Sequence, residues 1–197
     1  TINNFKPINL EPWDAETAIG CLEALANNYN VEFEEGACER ITEYLGCCIP
    51  HHVQMFFSYV YERCRKRTNM NCSVEDIDEV YEDHMLSTKG HAELSTFEER
   101  LEMMVGNELH PFVLDLLTEA AVANGLTEEA IEVHRKEHDL SDREGAEKTR
   151  EVLEILKHDG YLQRESGQYT FISHLLRDWW ERRFGEFGFT PASDKND

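Results

Sequence analysis

Residues 141–180 read SDREGAEKTREVLEILKHDGYLQRESGQYTFISHLLRDWW, and two periods meet inside them. From Ser141 onward the apolar residues Val152, Leu153 and Leu156 keep helical spacing, behind a Ser141–Glu144 pair that matches a capping box. Gly160 ends that helix. The period then drops to two. Tyr161-Leu162-Gln163-Arg164 and Gln168-Tyr169-Thr170-Phe171-Ile172 flank Glu165-Ser166-Gly167, the pattern of a β-hairpin. A last helix follows with Leu175, Leu176, Trp179, Trp180 and Phe184.

Two more helices precede this stretch. Leu109, Val113, Leu116, Leu117 and Ala120 share one face, and Asn124-Gly125 stops them. Thr127 caps the next helix, which carries Ala130, Ile131 and His134. Three helices followed by a hairpin is the winged-helix order, with the third as recognition helix and the hairpin as wing.

The first half is helical by period as well. Asp14 caps a helix with Ala18, Leu22, Leu25 and Tyr29 on one face. Ala37, Ile41 and Leu45 make a second that Gly46 ends. Pro50 opens a third, with Val53, Phe56, Phe57, Val60 and Cys64 as its stripe and Arg63, Arg65, Lys66 and Arg67 as a solvated basic end. Ser73 and Asp76 resemble a capping box before Val74, Ile77, Val80 and Tyr81. Thr96 and Glu99 do the same before Leu101, Met104 and Val105. Residues 87–95 read as a flexible connection, which sets a domain boundary between there and Asn107.

Composition limits what such a chain can do. At 41% hydrophobic it buries a core and is not a disordered chain. Its 40 acidic and 19 basic side chains leave a net charge of -21, which repels phosphate backbones and anionic membranes unless the bases cluster. No apolar run is long enough to span a bilayer, and no signal peptide pattern occurs. The six cysteines, all within the first 72 residues, therefore read as reduced thiols packed in a cytoplasmic protein. Thr1-Ile2-Asn3-Asn4 lacks an initiator methionine, as expected after processing or in a piece of a longer protein.

Two stretches carry a family resemblance. Leu153-x-x-Leu156-x-x-Asp159-Gly160-Tyr161-Leu162, followed by Tyr169-x-Phe171-x-Ser173-x-Leu175-Leu176-Arg177-Asp178-Trp179-Trp180, resembles the C-terminus of AAA-type ATPases of the archaeal-ATPase class. These are P-loop proteins related to STAND and origin-recognition ATPases. Ile49-Pro50-His51-His52-Val53-Gln54 resembles the Gly-x-Pro-x-x-x-Gln region of their helical lid, and Ile2 to Trp13 resembles the segment that leaves the ATPase core.

The resemblance implies a mainly α chain: a helical lid-like bundle, then a winged helix of three helices plus a β-hairpin, then a C-terminal helix. It implies a lead-in at 1–12, a lid-like domain at 13–107, a winged-helix domain at 108–187 and a flexible tail at 188–197. His51, His52 and Gln54 are then the nucleotide-sensing candidates of the lid. The sequence departs from the family in one respect that decides activity. It contains no Gly-x-x-x-x-Gly-Lys-[Ser/Thr] loop and no Mg²⁺-binding acid behind one. ATP and Mg²⁺ are thus expected in a core outside this chain. The chain itself is expected to hold no cofactor or metal and to catalyse nothing.

Three readings compete for its role. The acidic surface favours contacts with its own ATPase core, another subunit or a protein partner. A DNA-binding winged helix would use Lys148, Arg150, Lys157 and Arg164, but Glu144, Glu147, Glu151 and Glu154 share that helix. His134-x-x-Glu137-His138 matches a zinc-hydrolase motif, yet no third ligand is specified and it reads as a solvated helix face. Cys38, Cys47, Cys48, His51 and His52 fit no zinc-finger spacing and read as packing residues. Trp179 and Trp180 read as core, but neighbours diverge by about 100° on a helix, so one is expected to face another domain or subunit.

Overall fold

The computed structural model describes residues 12–185 and 188–196. The lead-in expected at 1–12 lies outside the described residues apart from Pro12. The chain is mainly helical and divides into two compact units between Val80 and Tyr81.

The first unit forms from local signals that its sequence states openly. The Asp14 carboxylate accepts from Thr17 N at 2.7 Å and starts α1 (Ala15–Tyr29), which buries Ala18, Leu22 and Ala26. Gly36, at φ 87, leads into α2 (Ala37–Leu45), and Gly46, at φ 63, ends it. Pro50 opens α3 (Pro50–Arg67), whose inner face carries Val53, Phe56, Phe57, Val60 and Cys64. Ser73 and Asp76 cap α4 (Val74–Val80) reciprocally: Asp76 N donates to Ser73 Oγ at 3.2 Å, and Ser73 N donates to Asp76 Oδ2 at 3.1 Å. The links after α1 and α3 meet as two short parallel strands, β1 (Glu32–Phe33) and β2 (Asn71–Cys72). Two-residue strands leave no period in a sequence, and none was expected there.

The second unit opens with a π-helical turn, Tyr81–Met85, and then α5 (Thr88–Val122). Residues 88–95 are therefore helical, not a flexible connection, and Thr96 lies inside the helix rather than at its cap. Leu94 and Leu101, two turns apart and both buried, supply the face that holds this segment down. Gly90 is tolerated because it falls in the first turn, whose N–H groups lack helical acceptors anyway. The change of rhythm at Asn107 marks something else. Gly106 sits at φ 73 and ψ 161, a region open essentially to glycine, and breaks α5 into segments 88–105 and 107–122. The break lies inside the second unit, whereas the division between units comes earlier.

Thr127 accepts from Ala130 N and starts α6 (Glu128–Glu137). α7 (Arg143–His158) is capped by Asp142, which accepts from Gly145 N at 2.7 Å; the expected Ser141 cap is one residue too early. β3 (Leu162–Glu165) and β4 (Gln168–Phe171) pair antiparallel across Ser166 and Gly167, both at positive φ, as a two-residue hairpin turn requires. Leu126 bridges to β4 as well: its N–H donates to Tyr169 O at 2.8 Å, and Tyr169 N donates back to Leu126 O at 2.9 Å. The order from 107 onward, three helices and then a hairpin, is the winged-helix order. No helix among the described residues is long and apolar enough to cross a membrane.

α8 (His174–Trp180) closes the unit, with Ser173 as its cap. Trp179 and Trp180 are both buried, at 1% and 0% exposure, so neither faces outward as the helical angle suggested. The reason lies in the next turn. Glu181–Gly185 is wound as a π-helix, and this places the Arg183 guanidinium 5.6 Å over the Trp179 ring and Phe184 against both indoles. The Trp180 indole N–H donates to Thr118 Oγ1 at 3.3 Å. Ala192 is buried, and a 3₁₀ turn over Ala192–Asn196 packs on α6.

The α6–α7 turn is closed by Arg135, whose Nε and Nη2 donate to Leu140 O at 3.1 and 2.8 Å, with Nη2 also reaching Asp142 O at 3.2 Å. The chain passes so close there that a Cβ on Gly145 would stand 2.2 Å from Leu140 O. Helix propensity alone predicts that Gly145→Ala stabilises α7 by up to about 1 kcal/mol. The contact predicts the opposite, a loss of about 1–3 kcal/mol in urea unfolding followed by circular dichroism.

Candidate functional site

The lid candidates do not converge on one point. His51 and Gln54, three residues apart on α3, are exposed neighbours, whereas His52 is turned into the core beside Val53. Gln54 lines a groove with Leu25, Tyr29, Phe57, Tyr61 and Arg65. Tyr29 is 48% exposed there and meets the Tyr61 ring edge-on at 4.9 Å, while Arg65 lies 5.7 Å over Tyr61. The helical period placed Tyr29 on the buried face of α1, but α1 ends at this residue and the ring rests on α3 at the rim.

The basic run at the end of α3 is not simply solvated. Arg63 Nε donates to Asp76 Oδ1 at 3.3 Å and also pairs with Glu79, and Arg67 Nη1 stands 2.7 Å from Asp76 Oδ1. The Arg67 bond, helped by Ser73 N and Arg63 and opposed by burial, holds the Asp76 carboxyl at about 2. The run is thus a staple between α3 and α4.

Burial pushes the Cys38 thiol up to about 12 and raises Cys47, Cys48, Cys64 and Cys72 as well. Metal binding and nucleophilic attack both need the thiolate, which this environment disfavours.

On α7 and the wing, three of the four nucleic-acid candidates are already paired. Lys148 Nζ lies 3.1 Å from both Glu108 and Glu144, and the Glu108 bond is the largest of the contacts that raise its pKa. Lys157 meets Glu154 at 2.9 Å, and Arg164 donates to Glu128 at 2.8 Å. Arg150 is exposed and has no carboxylate partner among the described residues. Pairs this exposed are weak enough to exchange, but a phosphate contact at Lys148, Lys157 or Arg164 would have to displace a carboxylate that stays nearby.

The zinc-like motif on α6 is absorbed by the core rather than lying on a solvated face. His134 is 0% exposed, and its Nε2 donates to Glu119 Oε2 at 3.1 Å; Glu119 is itself only 3% exposed. Its Nδ1 stands 3.2 Å from Glu137 Oε2, outside hydrogen-bond geometry. His138 Nε2 pairs with Asp115 Oδ2 at 2.7 Å. Both imidazoles are thus engaged by carboxylates of α5, and no group of three or more ligand side chains that could hold a metal occurs among the described residues. A signal for this was present: His134 continues the Ala130–Ile131 face of α6, which turns inward.

Comparison with known proteins gives a likeness of fold. No protein-family model matches the chain, and no curated protein matches it. Among solved structures, the Walker-type ATPase PABY2304 of Pyrococcus abyssi is similar, with a TM-score of 0.57 and 17% sequence identity. The likeness covers 86% of this chain and 42% of that one, so the chain spans less than half the length of its structural neighbour. At this identity the likeness is one of fold alone.

The Asp76 staple has a pH signature. Its carboxyl stays ionised to lower pH in the folded chain than in the unfolded one. The stability it contributes is therefore complete above about pH 4 and is lost as the pH falls toward about 2. Asp76→Asn is expected to cost about 2 kcal/mol at pH 7 and almost nothing near pH 2. Urea unfolding at both pH values checks the pair.

Proposed function

We propose that this chain is a non-catalytic regulatory and interaction region of a larger AAA-type ATPase. The fold likeness to an archaeal Walker-type ATPase carries the reading. The absence of a phosphate-binding loop from the sequence supports a non-catalytic role, because without its backbone nest nothing cradles the β- and γ-phosphates. ATP and Mg²⁺ would be held by a core outside these residues.

In this reading the first unit acts as a lid that reports nucleotide state. His51 and Gln54, exposed side by side on α3, are its contact residues; His52, in the core, positions the helix. The second unit packs on the ATPase core, another subunit or a protein partner. Its choice of protein over DNA follows from charge. Lys148, Lys157 and Arg164 are held by Glu108, Glu144, Glu154 and Glu128 on a chain of net charge -21, a poor surface for phosphate.

The reading frame upstream of the Thr1 codon is expected to encode Gly-x-x-x-x-Gly-Lys-[Ser/Thr]. In that whole protein, His51→Ala with Gln54→Ala should lower ATP turnover by roughly tenfold without changing thermal stability, as expected for a lost charge-assisted contact. An upstream frame with no phosphate-binding loop would sink the reading. Fluorescence anisotropy of a labelled duplex against the 197-residue chain should stay flat at low salt. Tight binding with a steep salt dependence would favour the DNA-binding alternative.

A further inference from the structure

The segment 188–196 lies across α5 and α6 as a bound peptide would. Phe189 stacks on the His134 imidazole, with centroids 5.8 Å apart and planes at 22°. Three residues on, Ala192 N donates to Glu119 Oε2 at 2.9 Å, the same buried oxygen that takes His134 Nε2. Three residues further, Lys195 Nζ pairs with Glu137 Oε2 at 2.8 Å and sits 5.5 Å over the Phe189 ring. An aromatic ring, a backbone amide at a small residue and a base thus meet an imidazole, a buried carboxylate and an exposed carboxylate.

We infer that this face of α5 and α6 is a peptide-docking surface, occupied within the chain by its own C-terminal strap. The partner it fits is a segment with an aromatic residue, a small residue three positions on, and a lysine or arginine three beyond that, wound as a 3₁₀ turn from the small residue onward as the strap is. This inference stands whether or not the chain belongs to an ATPase.

Two observations point to exchange with a partner rather than a permanent closure. The Lys195–Glu137 pair is partly exposed, and nine residues must be ordered to make it and the contacts of Phe189 and Ala192. The strap also leaves a hollow of about 590 Å³ beside Phe189, walled by Leu114, Thr118 and Phe184. Gly188, Asp115, Glu137 and Lys195 border it as well, so the strap leaves this space open to a bulkier partner. Charge agrees as well. Asp115, Glu119 and Glu137 ring the site, and Lys195 is the only base in the sequence beyond Arg183, so a basic partner replaces it well.

The test uses the full chain and a fluorescein-labelled peptide of residues 188–196. Tethering gives the strap an effective concentration on the order of millimolar, so the wild-type chain should resist the free peptide up to that level. The double variant Phe189→Ala/Lys195→Ala loosens the strap without touching the site, and should bind the peptide at least about tenfold tighter. Adding Glu119→Ala to that background should abolish binding, with circular dichroism checking that the fold survives. Amide exchange at Ala192 in the wild-type chain supplies the second readout, and protection there is expected. A folded double variant that ignores the peptide overturns the inference, as does an unprotected Ala192 amide. Wild-type dimers that the peptide dissolves would overturn it too, by seating a second copy's strap on the face.

Discussion

The second unit depends on the backbone of one glycine. A straight helix over Thr88–Val122 would run about 50 Å, and its two ends could not serve one small core. Gly106 redirects it, and both segments then meet the same later elements. Tyr161 Oη donates to Phe97 O at 2.6 Å and Arg100 pairs with Asp159 at 2.8 Å, which ties the first segment to the end of α7 and the start of the hairpin. Thr118 takes the Trp180 indole N–H, and Leu126, just past α5, pairs with β4, which ties the second segment to the hairpin and α8. A residue with a Cβ at position 106 would strain the backbone at the point where these bonds need the turn.

The surplus of acid is put to structural use. Asp14 and Asp142 cap helices, and Asp76 both caps α4 and anchors two arginines of α3. Glu119 receives both an imidazole and a backbone amide in the interior. Carboxylates placed at helix N-termini complement the dipole there, so a chain of this charge loses less stability to self-repulsion than its net charge suggests. Glu108 and Glu144 hold Lys148, Glu154 holds Lys157 and Glu128 holds Arg164, so much of the positive charge on α7 and the wing is compensated.

Much of the fold was legible because its signals are local. Asp14, Thr127 and the Ser73–Asp76 pair act within three residues of where they stand, and Gly46, Pro50 and the Ser166–Gly167 turn work through their own backbone angles. What misled was composition read without context. Ser87-Thr88-Lys89-Gly90-His91 looks like a linker, yet Leu94 and Leu101 hold the following turns against a core that no short window displays. The cap of α7 slipped from Ser141 to Asp142 because Arg135, seven residues before Asp142, grips Leu140 O and Asp142 O and sets where the helix can start.

The sequence by itself determined most of the helical segments, where most of them begin and end, and that a hairpin follows the last of three. Those outcomes rest on φ preferences and on hydrogen bonds between residues a few positions apart. Only the tertiary structure decided that His134 is a core imidazole rather than a metal ligand or a surface residue, that both tryptophans are covered, and that the tail returns to Glu119. Each of these needs a partner from another element: Glu119 lies 15 residues before His134 and 73 before Ala192. No period or spacing in the chain records which carboxylate the fold will bring to which donor.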